Sequence, residues 1–201
     1  LLPHREAGGG RRGKPGLDAA AMLAQPLRAY LMLGLEPELD TTAGAQVLEV
    51  LAEARFVACV TPFASEAMRS YAHVLLPMGT FAETSGSYVN GEGRWQSFDG
   101  VARPLGESRP AWKILRVLGN LAGMDGFDYD DSVAIRDELL AMVGRPEPAG
   151  TKPELDRELP AGAAERVLDY VPMYAIDPLV RRSAPLQATT EGQTARRRDS
   201  S

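Results

Sequence analysis

Across its 201 residues the chain carries 44% hydrophobic side chains, which suits a globular protein with a real core and not a disordered one. A formal net charge of -5 argues against nucleic-acid partners, whose binding rests on a surplus of Lys and Arg to neutralise phosphates. No apolar run approaches the roughly 18 residues that span a bilayer, so no direct membrane insertion is expected.

The chain opens LLPHREAGGGRRGKPG, without Met and without the apolar segment of a signal peptide. Residues 1–16 therefore read as a flexible start, and the whole as the tail end of a longer polypeptide. Ala29 to Leu33 is a short apolar run closed by Gly34 and Pro37, the mark of a buried parallel strand and a loop. In AGAQVLEVLAEA, Val47, Leu48 and Leu51 share one helical face. Phe56 to Val60 is a second buried run, SEAMRSYA a short helix with Ser65 as N-cap, and Val74 to Pro77 a third run. Strand, helix, strand, helix, strand at these lengths predicts an α/β domain with a parallel, Rossmann-like sheet and crossover helices.

Next comes FAETSGSYVNGEGRWQSF, Phe81 to Phe98. SYV and WQSF flank Asn90-Gly91-Glu92-Gly93, so the stretch predicts a β-hairpin whose glycines can take positive φ. An extended arm follows, then a helix with Pro110 near its first turn and Trp112, Leu115, Val117 and Leu118 as its apolar positions. DSVAIRDELLAMVG predicts a further amphipathic helix capped by Asp131 or Ser132. The α/β domain is thus expected over 17–144. Residues 145–169, rich in Pro, Glu, Arg and Gly, read as linker. The apolar residues of 170–182 read as a docking segment, and 183–201 as a disordered tail.

Few side chains carry chemistry. The only cysteine, Cys59, reads as a buried small hydrophobe and cannot supply the four thiolates of an iron–sulfur cluster. His4 and His73 lack partners at metal-ligand spacing, so no metal site is expected. The first strand-to-helix turn reads GLEPELD, with one glycine and acids that repel phosphate, where a dinucleotide site needs G-x-G-x-x-G. Glu83, Glu92 and Glu107 could serve as acid–base groups. Their turn-forming surroundings favour structural roles instead, capping backbone N–H groups or pairing with Arg94 and Arg103. Glu92, Arg94, Glu107 and Arg109 are expected to form a polar network pinning the arm. No nucleophile–base set is discernible, so no catalytic residue is assigned.

The stretch from Ala72 to Asn120 resembles the molybdopterin oxidoreductase superfamily. The resemblance runs through Leu76-Pro77, Glu83, Gly86, Asn90, Glu92-Gly93-Arg94, Gln96, Gly106-Glu107, Arg109-Pro110 and Trp112. Each piece is weak alone and the combination is specific. Within the superfamily, AYLMLGLEPELD, GTFAETSGSYVNGEGRWQSF, SRPAWKILRVLGNLAG and YAIDPLVRRSAPLQ are most similar to the G-subunit family of bacterial NADH:quinone oxidoreductase, respiratory complex I. His73 stands where the family usually has Asp, and Ser87 where Thr is common. The resemblance implies a non-catalytic scaffold region of a peripheral-arm subunit, with other peripheral-arm subunits as partners, on the cytoplasmic side of the bacterial inner membrane. It implies 4Fe-4S and 2Fe-2S clusters in an N-terminal region and no cofactor in this one. It also leaves an alternative, the C-terminal part of a molybdopterin-dependent enzyme such as a formate dehydrogenase. In that case Asn90, Glu92 and Arg94 would be the cofactor-binding candidates. Otherwise Glu83, Gly86, Asn90, Gly91, Gly93, Arg94, Glu107, Arg109 and Trp112 form a structural motif.

Overall fold

The computed structural model describes residues 16–41, 44, 46–90, 92–144 and 173–193. The expected linker over 145–169, Gly91, and the end of the tail lie outside them. The described residues fall into two compact units. The first holds those up to Leu35 and those from Gln46 to Gly144; the second holds Glu36 to Gly44 and Met173 to Gln193.

The first unit begins with α1 (Ala19–Ala24), which the sequence reading missed, capped by the Asp18 carboxylate accepting from the Ala21 N–H at 2.8 Å. It leads into β1 (Ala29–Leu33). The chain then leaves for the second unit through α2 (Pro37–Asp40) and returns as α3 (Gln46–Ala52), β2 (Phe56–Thr61), α4 (Glu66–Tyr71) and β3 (Val74–Pro77). Ser65 caps α4 as expected, accepting from the Met68 N–H at 2.9 Å. The strands form a parallel sheet in the order β1-β2-β3, with Met32 opposite Cys59 and Cys59 opposite Leu75.

One face of this sheet makes the core. Met32, Val57 and Cys59 meet Val47 and Leu51 of α3 and Met68 and Tyr71 of α4, with Leu23 of α1 packed against them. Cys59 is fully buried. His73 finds its role at the start of β3. Its Nδ1 accepts from the Val57 N–H at 3.1 Å, and its own N–H donates to the Val57 carbonyl at 2.9 Å. An Asp carboxylate in that position could accept the same N–H, which gives the departure from the family pattern a physical reason.

Beyond β3 a 3₁₀ turn (Phe81–Glu83) leads to the antiparallel pair β4 (Gly86–Val89) and β5 (Trp95–Phe98). Helices α5 (Ala111–Leu121) and α6 (Ser132–Val143) follow. Asp131 is the cap of α6, accepting from the Ala134 N–H at 2.8 Å. The expected amphipathic face of α6 is not cleanly buried: Val133, Leu139 and Met142 all stand exposed.

The second unit contains α2, α7 (Met173–Ile176), a 3₁₀ turn (Val180–Arg182) and α8 (Ala184–Gln187). Residues from Ser183 onward, expected to lack order, carry α8. Pro185 sits in its first turn, and the Gln187 side-chain amide donates to the carbonyls of Tyr174 and Val180 at 3.0 Å each. Those bonds compensate for the few apolar residues that prompted the expectation of a disordered tail.

Candidate functional site

The site that the sequence singles out is the β4–β5 hairpin and what packs around it. Gly86 pairs with Phe98 and Val89 with Trp95. At the tip, the Asn90 N–H donates to the Arg94 carbonyl at 3.1 Å and the Gly93 N–H to the Asn90 carbonyl at 2.9 Å. The Asn90 Oδ1 accepts from the backbone N–H groups of Glu92 and Arg94 at 3.1 and 2.8 Å. An amide side chain thereby replaces backbone partners that a tight turn cannot supply. Gly93 has φ +81°, a region that L side chains rarely adopt. Gly93→Val is therefore expected to lower stability by about 1–3 kcal/mol, measured by thermal melts against the parent. An unchanged melting temperature would show that the turn does not need this glycine. Gly86 is small for a different reason: a Cβ there would lie 2.9 Å from Phe98 Cζ.

Glu92 and Arg94 approach at 3.6 Å, with side chains 71% and 66% exposed. Such a pair contributes little in water. Glu107 and the backbone of Arg109 lie further along the arm, and the Arg109 guanidinium donates to the adjacent Ser108 carbonyl at 3.0 Å. The expected four-residue network is thus not formed. The arm is held by its backbone and by Glu83. The Gly79 N–H donates to the Arg109 carbonyl at 2.9 Å and the Arg109 N–H to the Pro77 carbonyl at 3.2 Å, extending β3 by an isolated bridge. The Val101 and Ala102 N–H groups both reach the Ala82 carbonyl, at 2.8 and 2.9 Å.

Glu83 links the two ends of this arrangement. Its Oε2 accepts from the Thr80 N–H at 2.7 Å and the Thr80 hydroxyl at 3.1 Å, and its Oε1 accepts from the Leu105 N–H at 2.9 Å. The Thr80 backbone bond is the main cause holding this carboxyl below the usual range. Desolvation opposes it, and the Thr80 hydroxyl and the Leu105 N–H reinforce it. Because the folded pKa is lowered, the stabilisation is present above the ordinary carboxylate pKa and is lost as pH falls through the lowered value. The Leu105 amide resonance, followed by NMR on acidification, is expected to titrate with a midpoint below that of an unperturbed Glu. Glu83→Gln should remove that titration; its persistence would assign the pin to another group.

Between the hairpin and α6 lies a groove of about 410 Å³. Both tryptophans of the chain, Trp95 and Trp112, line it together with Phe98, Val133 and Leu139. The Ser85 and Ser132 hydroxyls meet at 2.7 Å on its wall and tie the hairpin to α6. Arg136 is occupied by Asp137, with Nε and Nη2 donating to Oδ1 at 2.9 and 2.8 Å. The lining can receive an apolar group and offers no nucleophile beside a base. Among the described residues, no group of three or more His, Cys, Asp or Glu is placed to hold a metal ion.

The family of molybdopterin oxidoreductases matches residues 6–121, more than half of the chain. The chain belongs to the molybdopterin oxidoreductase family. It is 26% identical over 135 residues to a nitrate reductase of Synechocystis, covering 65% of this chain and 19% of that protein. It is 40% identical over 67 residues to the mitochondrial NADH-ubiquinone oxidoreductase 78 kDa subunit of Candida albicans, covering 33% of this chain and 9% of the relative. A third relative, the NADPH-Fe(3+) oxidoreductase subunit alpha of Geobacter sulfurreducens, is 30% identical over 117 residues, covering 58% and 14%. The chain thus spans less than a fifth of the length of these curated relatives.

Membership in a molybdopterin oxidoreductase family implies molybdopterin and iron–sulfur cofactors in full-length relatives. The candidates for holding a pterin in this chain, Asn90, Glu92 and Arg94, do not fit one. All three stand exposed at the hairpin tip, where the Asn90 side-chain Oδ1 is spent on two backbone N–H groups and the charges face each other. A pterin site needs free donors and acceptors converging in a cleft. Cys59, fully buried within the core sheet, is likewise no cluster ligand.

Sequence reasoning missed the most buried charge among the described residues. Glu36, only 3% exposed, lies in the second unit beside two arginines. Arg181 Nη2 donates to Glu36 Oε2 at 2.7 Å and to Asp40 Oδ1 at 2.9 Å, while Arg182 grips both Glu36 oxygens. The signal was present in two places: the acids of GLEPELD, read only as hostile to phosphate, and the Arg181-Arg182 pair ending the apolar docking segment.

Proposed function

We propose that the chain is part of a peripheral-arm subunit of an NADH:quinone oxidoreductase of the complex I kind. In this reading it scaffolds electron transfer from NADH through FMN and iron–sulfur clusters to quinone, coupled to proton translocation, and performs no chemical step itself. The observation that carries it is the state of the hairpin tip, where Asn90, Glu92 and Arg94 are committed to the turn and to each other. The strong local identity to the 78 kDa subunit supports it. Its partners would be other peripheral-arm subunits on the cytoplasmic side of a bacterial inner membrane. Among the described residues no helix is long and apolar enough to cross a membrane, which is compatible with a peripheral position.

A second reading, a molybdopterin-dependent reductase or dehydrogenase, is favoured by the wider reach of the nitrate reductase match over this chain. Metal analysis of the complete purified subunit separates the two. The scaffold reading expects iron with no stoichiometric molybdenum and no pterin released on denaturation. About one molybdenum per subunit, with a releasable pterin, would replace it by the second.

A further inference from the structure

The second unit joins two segments that lie far apart in the chain, and charge is where they meet. One is the loop between β1 and α3, carrying Glu36 and Asp40; the other is residues 173–193, carrying Arg181 and Arg182. Four described hydrogen bonds link them, each from a guanidinium to a carboxylate. Two negative charges thus face two positive ones, with the Glu36 side chain 4% and the Arg181 side chain 9% exposed. Charges so far removed from water persist only when paired and hydrogen-bonded.

Each half of the cluster is shaped by its own segment. In the loop, Asp40 Oδ2 accepts from the Glu36 N–H at 2.7 Å, and the Thr41 N–H and hydroxyl both reach the Pro37 carbonyl, at 3.2 and 2.7 Å. These local bonds fix Asp40 against Glu36 without help from the arginines. In the other segment, Asp177 Oδ1 accepts from the N–H groups of Leu179 and Val180 at 2.8 and 2.9 Å, which closes a turn. Arg181 Nη1 donates to the Ala175 carbonyl at 3.1 Å and Arg182 Nη1 to the Pro178 carbonyl at 3.0 Å. Both guanidiniums are therefore aimed by the segment that bears them. Two preorganised parts meet at one surface, as a receptor and its ligand do.

The geometry also selects the ligand. Arg182 sets Nη1 on Glu36 Oε2 at 2.9 Å and Nη2 on Oε1, fork against fork. Arg181 Nη2 bridges Glu36 Oε2 at 2.7 Å and Asp40 Oδ1 at 2.9 Å. A lysine ammonium is a compact point charge and cannot reproduce this planar pairing.

We propose that Glu36 and Asp40 form a receptor for a paired-arginine turn, and that residues 173–193 are its occupant, a separable clasp that closes the loop between β1 and α3. Filling and closure are coupled, because an empty closed receptor would leave the Glu36 carboxylate buried without a partner. The inference does not depend on whether the chain belongs to complex I or to a molybdenum enzyme.

The test uses the complete subunit with a specific protease site inserted between Gly144 and Met173. After cleavage, the C-terminal fragment is expected to elute with the rest of the subunit in gel filtration. An excess of a synthetic peptide of residues 173–193 should then displace it. The same peptide with Arg181→Lys and Arg182→Lys keeps the charge and loses the fork, and should displace it at least about tenfold less well. Glu36→Gln in the subunit should release the fragment on cleavage. The lysine peptide meets an unaltered subunit, so its result decides the matter if the Glu36 variant does not fold. Metal and pterin content play no part in these readouts, so the functional reading can fail separately. A fragment that leaves the unaltered subunit on cleavage, or that the native peptide cannot displace, would overturn the proposal. Equal displacement by the lysine peptide would overturn it too, by reducing the contact to net charge.

Discussion

Replacing Glu36 with alanine should cost the second unit about 3–5 kcal/mol, the usual penalty for removing one partner from a buried ionic cluster. Glu36 is 3% exposed and receives both Arg181 and Arg182, and the Arg181 side chain is itself only 9% exposed. Without the carboxylate, Arg181 keeps Asp40 and the Ala175 carbonyl, while Arg182 loses both of its contacts with Glu36. A buried guanidinium left half-compensated is more costly than the original pair was favourable. Asp40→Asn leaves Glu36 in place and is expected to cost clearly less. Hydrogen exchange of the Arg181, Arg182 and Ser183 amides, which bond to the carbonyls of Asp177, Leu179 and Val180, reads the effect locally. A loss of that size accelerates exchange by roughly two to four decades, up to the limit set by the segment's own opening. Unchanged exchange in the alanine variant would mean that the cluster is an accessory of a segment held by other contacts.

The same cluster shows why part of this protein was legible in its sequence and part was not. The three strands and the helices α3 and α4 announce themselves, because short apolar runs bounded by Gly, Pro and a Ser cap have few other physical solutions. The hairpin was equally plain from Asn90, Gly93 and the alternating residues around them. Pairing between distant charges has no such local signature. Glu36 and Arg181 are separated by 145 positions, and nothing in either neighbourhood specifies the other. For the arm, the expected network of Glu92, Arg94, Glu107 and Arg109 gives way to backbone capping by Glu83. Glu92 and Glu107 had arginines close by in sequence, yet Glu83 holds the arm by accepting backbone N–H groups, a role that requires no partner of opposite charge. Helix α1 was missed because six small and apolar residues after Asp18 carry no usable period. The groove with both tryptophans was hidden because α6 enters it from 47 positions beyond Ser85.

Gly119 is the position where helix propensity and packing give opposite answers, and packing is expected to win. In the interior of an exposed helix, exchanging Gly for Ala stabilises by about 1 kcal/mol, because alanine loses less backbone entropy. Gly119 lies in the last turns of α5 and is buried beneath Phe127. A Cβ built there would stand 2.2 Å from Phe127 Cδ1 and 2.3 Å from Cγ. Cγ is fixed close to the backbone, so no simple rotation of the ring tip relieves the clash. The loop bearing Phe127 is also held in place, since Arg116 Nη1 donates to the Tyr129 carbonyl at 2.7 Å and the Met124 N–H to the Gly119 carbonyl at 3.0 Å. Gly119→Ala is therefore expected to destabilise by a net 1–3 kcal/mol or so, the range of overpacked cores. In a chain of this size that is a fall in Tm of about 2–4 °C for each kcal/mol. The double variant with Phe127→Ala isolates the cause. If the ring is what the methyl meets, adding Gly119→Ala to Phe127→Ala should cost nothing further, and the helix preference should then show as a small gain. A single variant that melts higher than the parent would mean that the loop moves aside freely, and that the glycine answers to something other than Phe127.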